Sequence, residues 1–378
     1  MQITTIALAI LILFGVITLI QLVYYYVIYG RFAFYRKKSA LGFRDIPISV
    51  VIVVRDDAAL AVQALPSLLE QQYSFFEIVI VNDRSRDENS LQAIREYKDR
   101  YPNIKIVDLS TAVSTSRGKK MAISMGVKCA TYDHILLTSP SCKPASQQWL
   151  SNMAQNFQFQ HRIVLGYNTF EKKKGIYNHF LHYDNLMGAV QYFSHALMHS
   201  TYRGDLNNVA FVRPLFYKQN GFIAYSHLLY GEEDIFIHRA STPNNVAIEF
   251  APEAVTLQQH SPKYGYWRLH KVSLYYTRKF NSLKNKILLG GYELTNILFY
   301  ALLSLSIVAF LHLPLLLYIT AGIAVLRIAS LYVVMGIAAK KLQEKTVIPF
   351  LLFYDLLFAL LNPLYWLSAK INHKKIAQ

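Results

Sequence analysis

Acidic side chains stand at the ends of two short apolar runs. Asp56 and Asp57 follow Ile-Ser-Val-Val-Ile-Val-Val (48–54) through Arg55, and Asp83 follows Glu-Ile-Val-Ile-Val (77–81) through Asn82. Carboxylates in such places can hold a base edge, a ribose or a metal, since each offers two acceptor oxygens. Asp at a strand-to-helix turn is also favoured simply as a helix cap. A further acidic group, Gly231-Glu232-Glu233-Asp234, heads an apolar stretch, where a helix dipole alone would favour negative charge. Among His179, His182, His195 and His199 the last two have the i, i+4 spacing of helical metal ligands. No third ligand follows at a motif spacing, so they read as polar edges of a helix. Two cysteines, Cys129 and Cys142, make no disulfide framework, and no Cys/His spacing reads as zinc.

The elements that must carry these groups alternate. The run 48–54 is β-branched and too short for a helix, so it reads as a buried parallel strand. A helical pattern over 58–72 comes next, then a strand at 77–81, a helix at 88–100 and a strand at 104–107. This β-α-β-α-β series predicts an α/β domain with a doubly wound sheet, whose ligand site lies at the carboxyl ends of its strands. The acidic residues at two successive strand ends therefore meet in one crevice.

Composition places this domain beside a membrane. The chain has 378 residues, 53% hydrophobic and only 16% charged, with 39 Lys+Arg against 23 Asp+Glu for a net charge of +16. Soluble domains carry about 25% charged residues, and disordered chains need low hydrophobicity, so neither class fits the whole. Residues 1–30 hold no charge and are long enough to span a bilayer. The basic flank Arg31, Arg36, Lys37, Lys38 puts the α/β domain after it in the cytoplasm. A domain over 46–260 precedes a basic, aromatic segment at 261–286 and membrane helices over 287–370. Residues 254–292 hold seven basic side chains and no acidic one, interleaved with Tyr264, Tyr266, Trp267, Tyr275, Tyr276 and Phe280. Next to a span, that mixture predicts a helix seated among lipid headgroups rather than one binding nucleic acid. Apolar stretches at 287–311 and 313–339 turn at His312-Leu-Pro314. The last, 347–369, contains Pro349, Asp355 and Asn362-Pro363, and is read as a third span or a re-entrant segment. If it spans, the basic tail falls on the wrong side for the charge rule. Arg327 and Asp355, charges within these stretches, either pair with each other or each snorkel or face the soluble domain independently.

The order of Arg55-Asp56-Asp57, then Glu-Ile-Val-Ile-Val-Asn-Asp83-Arg-Ser, then Gly118-Lys119-Lys120 opening a helix resembles the family-2 glycosyltransferases of GT-A fold. It is most similar to their membrane-anchored bacterial members, with a cytoplasmic catalytic domain on the inner membrane. The resemblance covers about 46–280. It implies inverting transfer of a sugar from a nucleotide-sugar to a lipid-linked or polysaccharide acceptor. By position it places Arg55 and Asp57 in the nucleotide pocket, Asp83 on the base and Lys119 near the diphosphate. Glu232 falls at the catalytic base, with Asp234 beside it, to take the proton of the attacking acceptor hydroxyl. Asn207-Asn208 and Gly221-Phe222 match the acceptor side.

Two motifs depart from that family. Where its members carry Asp-x-Asp for Mg2+ or Mn2+, this chain reads Ser139-Pro140-Ser141. Hydroxyls are weak ligands for such hard cations, so no metal is expected there. Where Gln-x-x-Arg-Trp is expected, Trp267 remains nearby, but His270, Ser273 and Leu274 occupy the motif positions. Two readings are open. Either Lys119, Lys120, Lys143 and Lys271 neutralise the leaving diphosphate without a metal, or the domain is a pseudo-glycosyltransferase that partners or regulates an active transferase.

Overall fold

The computed structural model describes residues 2–37, 45–110, 119–157, 161–228 and 231–371. Gly118 lies outside the described residues. The described residues form ten strands: β1 (Ile48–Val54), β2 (Phe76–Asn82), β3 (Ile104–Asp108), β4 (His134–Thr138), β5 (Cys142–Pro144), β6 (Ile163–Leu165), β7 (Asn168–Phe170), β8 (Val209–Val212), β9 (Val246–Ile248) and β10 (Thr256–Gln258). Seven form one sheet in the order β3-β2-β1-β4-β8-β6-β9, and β5-β10-β7 form a small second sheet.

The first four of that sheet run parallel, as helical crossovers require, while β8 is antiparallel to both β4 and β6. The expected doubly wound half is therefore continued by an antiparallel extension. β1 is buried along its whole length, which explains its unbroken Val/Ile run. On one face Val50, Ile52 and Ile80 pack with helices Ala58–Leu69 and Glu88–Arg100. On the other, Val51, Val53 and Val81 meet helix Lys120–Cys129. A Cβ at Gly126 would come within 2.4 Å of Val51 Cγ1, so only glycine lets that helix sit this close.

Among the described residues four helices are long and apolar enough to cross a membrane: Thr5–Ala33, Leu283–Ala309, Pro314–Lys341 and Lys345–Ile371. The first bends through a π-helical stretch, Tyr24–Tyr29, that turns Tyr24 and Tyr29 onto Tyr292 at 5.4 and 5.1 Å between rings. Arg327 and Asp355 do pair, at 2.6 Å, with both side chains wholly buried. Gln21, Asn296 and Tyr300 complete the cluster: Arg327 donates to Gln21 and Asn296, and Tyr300 donates to Asp355. A buried charge pair requires such extra hydrogen bonds to offset its desolvation.

The last helix differs from the other three. Beside its start Phe350 meets His179 at 5.0 Å, and near its end Tyr365 meets Trp267 at 5.5 Å. Between them Tyr354 stacks on Tyr183 and Phe358 on Phe180. It thus packs against helix Ile176–Leu197 at its start and against helix Tyr264–Thr277 at its end. Phe353, Leu356, Leu360, Leu364, Leu367 and Ile371 remain exposed along the opposite face.

Candidate active site

At the carboxyl ends of β1 and β2 the crevice is built largely as its sequence suggests. Asp83 is buried, and Arg55 forms an ion pair with its Oδ2. Arg84, held at a positive φ of 60°, donates to the other oxygen, Oδ1, at 3.0 Å. The cap of helix Glu88–Arg100 is Asp87, which accepts from the Ser90 N–H at 3.1 Å. Asp83 is thereby released from a capping role and clasped by two guanidinium groups. Asp57 accepts from the Arg55 backbone N–H at 2.7 Å and lies 3.5 Å from the Lys119 ammonium.

Lys119 and Ser139 line one small cavity of about 80 Å3, together with Pro140 and Asn207. The Ser139 and Ser141 hydroxyls are 3.1 Å apart and hydrogen-bonded to each other. Two neutral oxygens already satisfied by one another do not suit a divalent cation, which needs several hard and preferably charged donors. Among the described residues no group of three His, Cys, Asp or Glu side chains could hold one elsewhere.

Two of the expected lysines do not join this cluster. Lys120, one residue further along the helix, points into the core at 1% exposure, and its ammonium donates to the Leu228 carbonyl at 2.6 Å. It therefore cannot face a diphosphate beside Lys119, because successive helical positions diverge by about 100°. Lys271 is committed to Asp184 at 2.5 Å. Lys143 sits on β5 opposite Leu257 of β10, in the small sheet, and pairs with no carboxylate among the described residues.

Asp234 lies in a second cavity, between the sheet domain and the membrane helices. Helix Glu232–Ala240 starts at Gly231, whose φ of 88° suits glycine and where a Cβ would stand 2.2 Å from Thr277 Cγ2. That close approach lets the Thr277 hydroxyl donate to Asp234 at 3.1 Å, while the Arg203 Nε stands 3.7 Å from the same carboxylate. The Glu232 side chain lies outside the described residues.

The cavity walls include side chains that the sequence did not single out: Asp184, Arg203 and Glu293. Arg278, read there only as one of seven basic residues, bonds Glu293 through both guanidinium nitrogens at 2.8 Å. Burial works against its charge, but Glu293 together with Tyr275 and Tyr202 outweighs burial and holds Arg278 above the ordinary arginine value. Trp267 donates to Asp184 at 2.9 Å, one turn from Lys271, so the two clamp a single carboxylate. Ser273 and Leu274 supply no cation, but Arg203 and Arg278 bring two from other elements. Nothing local marks Arg203 or Glu293 in the sequence. Burial raises the Asp205 carboxyl above its ordinary value, against the hydrogen bond it accepts from the Asn207 N–H and the charge of Arg203.

His195 and His199 do not converge. His195 Nδ1 bonds Asn285 at 2.9 Å, whereas His199 Nδ1 contacts the Pro243 carbonyl.

Residues 49–217 match the family model described as glycosyl transferase family 2. Two poly-beta-1,6-N-acetyl-D-glucosamine synthase sequences of Staphylococcus epidermidis are 33% and 32% identical over 89 residues. Those matches cover 24% of this chain and only 20% of each relative. Among solved structures, the mannosyltransferase PcManGT from Pyrobaculum calidifontis, in complex with GDP-Man and Mn2+, superposes with a TM-score of 0.57 at 18% identity. The match covers 93% of this chain and 98% of that one. At this identity the superposition establishes a shared fold. The chain carries a glycosyltransferase family 2 domain of GT-A fold, joined to an N-terminal and several C-terminal apolar helices.

Proposed function

We propose that this protein transfers a sugar, with inversion, from a nucleotide-sugar to an acceptor at the membrane surface, without a divalent cation at Ser139–Ser141. The observation that carries the reading is the clasp at the strand ends: Asp83 held by Arg55 and Arg84, beside Asp57 and Lys119. A fixed carboxylate suits the N–H edge of a nucleobase. A lysine lining the Ser139 cavity suits the charge that develops on a leaving diphosphate.

In the reaction, an acceptor hydroxyl oxygen attacks C1 of the sugar from the face opposite the diphosphate. The C1–O bond to the nucleotide breaks, and its electron pair leaves with the diphosphate. The hydroxyl proton passes to a carboxylate at the start of helix Glu232–Ala240. We take Asp234 as that carboxylate, since it lines the cavity under the membrane helices and is oriented by Thr277 and Arg203.

Three helices, Thr5–Ala33, Leu283–Ala309 and Pro314–Lys341, cross the bilayer in this reading, and Leu351–Ile371 lies along its inner surface. Contact with helix Ile176–Leu197 at one end and with helix Tyr264–Thr277 at the other, and an exposed apolar stripe between, support that placement. It also keeps Lys370 on the side of Lys279 and Lys286, as the charge rule requires. The sheet domain then faces the cytoplasm of a bacterial cell.

The test is calorimetric titration of the full chain with UDP- and GDP-sugars, with and without Mn2+. Binding indifferent to Mn2+ supports the lysine-based site. Binding that requires the ion overturns it. The mutually bonded Ser139 and Ser141 hydroxyls favour a second reading, a pseudo-glycosyltransferase that assists another transferase, and absence of all nucleotide-sugar binding would leave that one standing.

A further inference from the structure

A large groove of about 790 Å3 opens beside the Asp234 cavity, between helix Leu283–Ala309 and the end of helix Leu351–Ile371. Its walls are apolar, formed by Leu294, Ile297, Pro363 and Trp366, and its rim is cationic, formed by Lys279, Lys286 and Lys370. Two of these ammonium groups are fixed on rings, Lys279 over Tyr276 and Lys370 over Trp366, each at 3.8 Å. Among the described residues, none of the three pairs with a carboxylate. Arg278 and Glu293 line the groove and also the Asp234 cavity, so their ion pair is the partition between the two.

We propose that this groove holds a lipid with an anionic phosphate head, and that this lipid is the acceptor; the second half of the claim rests on the transferase reading above. Charge complementarity selects the head, since three ammonium groups that no described carboxylate neutralises surround the rim. The surroundings select the tail. Ile287, Leu294, Leu367 and Ile371, next to or within the groove, are exposed apolar side chains, so it opens sideways toward lipid.

The bundle itself argues against a glycan threaded through it. Its crossing helices close on Phe14 and Phe299, both fully buried with rings 5.4 Å apart, and on the Arg327–Asp355 cluster. With its phosphate at the rim, the lipid presents a head hydroxyl past Arg278 to Asp234. That oxygen forms the new bond to C1 as the bond to the nucleoside diphosphate breaks, and its proton goes to the carboxylate.

The full chain, purified into phosphatidylcholine nanodiscs, is titrated with hexadecyl phosphate and with hexadecanol and read by native mass spectrometry. Saturable uptake of one hexadecyl phosphate, at least tenfold tighter than hexadecanol, is expected. Equal uptake of the two overturns the anionic site. Gly290 lines the groove, and a Cβ there meets no atom within 4 Å, so a side chain at this position starts into open space and Gly290→Trp obstructs the groove. It should lower hexadecyl phosphate uptake at least tenfold and leave nucleotide-sugar binding intact. Unchanged uptake overturns the location.

With a labelled nucleotide-sugar and a membrane extract, label should enter the organic phase, and do so tenfold less in Gly290→Trp. Label confined to a water-soluble polymer overturns the acceptor role. Nucleotide-sugar binding without hexadecyl phosphate uptake overturns the groove and spares the transferase reading. Uptake without nucleotide-sugar binding overturns the transferase reading, and the acceptor role with it.

Discussion

The two cavities are built in opposite ways. The crevice at the ends of β1 and β2 takes nearly every charged group from the turns directly after those strands, with Lys119 the one recruit from a distance. The cavity around Asp234 draws Asp184, Arg203, Arg278, Glu293 and Asp355 from five separate stretches of chain, and its floor is the membrane bundle. The first can form wherever the parallel sheet forms. The second exists only when helices 264–277, 283–309 and 351–371 have docked. The crevice keeps its shape with serines at 139 and 141, and the cavity holds two guanidinium groups, Arg203 and Arg278, where Ser273 and Leu274 carry no charge.

The comparison can be broken most forcefully at the membrane side. Arg327→Ala leaves Asp355 charged and buried, which costs about 3–5 kcal/mol. Thermal unfolding in detergent should drop sharply, with nucleotide binding lost only as the bundle undocks. Asp83→Ala should do the reverse. It removes charge-assisted hydrogen bonds worth about 1.5–3 kcal/mol to a bound base, so calorimetry should show nucleotide-sugar affinity weakened at least tenfold with little change in unfolding temperature. Unaltered affinity would make Asp83 merely an anchor for its arginines. Gly231→Ala must strain a φ of 88° and push Thr277 away. A loss of about 1–3 kcal/mol is expected, together with a fall in kcat larger than any change in KM for the nucleotide-sugar.

The smallest effect is one of pH. Burial pushes His195, which bonds Asn285 where the domain meets Leu283–Ala309, down to about 4 from an ordinary value near 6.5. Between those values the unfolded chain holds the extra proton. Stability is thus fully present above 6.5 and declines as pH falls toward 4, by at most about 1.4 kcal/mol per pH unit. His195→Gln should flatten that slope in chemical denaturation.

Much of the crevice was legible because its chemistry is local. Strand 48–54, helix 88–100 and the placing of Arg55, Asp57, Asp83 and Lys119 come from periodicity and from residues adjacent in sequence. Lys120 was misread because a Gly-Lys-Lys string does not reveal which lysine faces the sheet; helical phase sends the second one to Leu228. Asp83 and Asp87 are equally plausible caps by type, and only the backbone path assigns the cap to Asp87.

By itself the sequence determined the alternation of strand and helix, the apolar helices, the side on which basic flanks gather, and the absence of carboxylates at 139 and 141. Those are properties of composition and short-range spacing, where side-chain type alone sets the free energy. Tertiary structure decided the rest: that Arg327 meets Asp355, that the last helix packs on helices Ile176–Leu197 and Tyr264–Thr277, and that Arg203 and Arg278 stand where Ser273 supplies no charge. Each of these depends on which distant faces are buried together, and burial is a property of the packed whole, where an unpaired charge or an exposed stripe is costly only once its neighbours are in place.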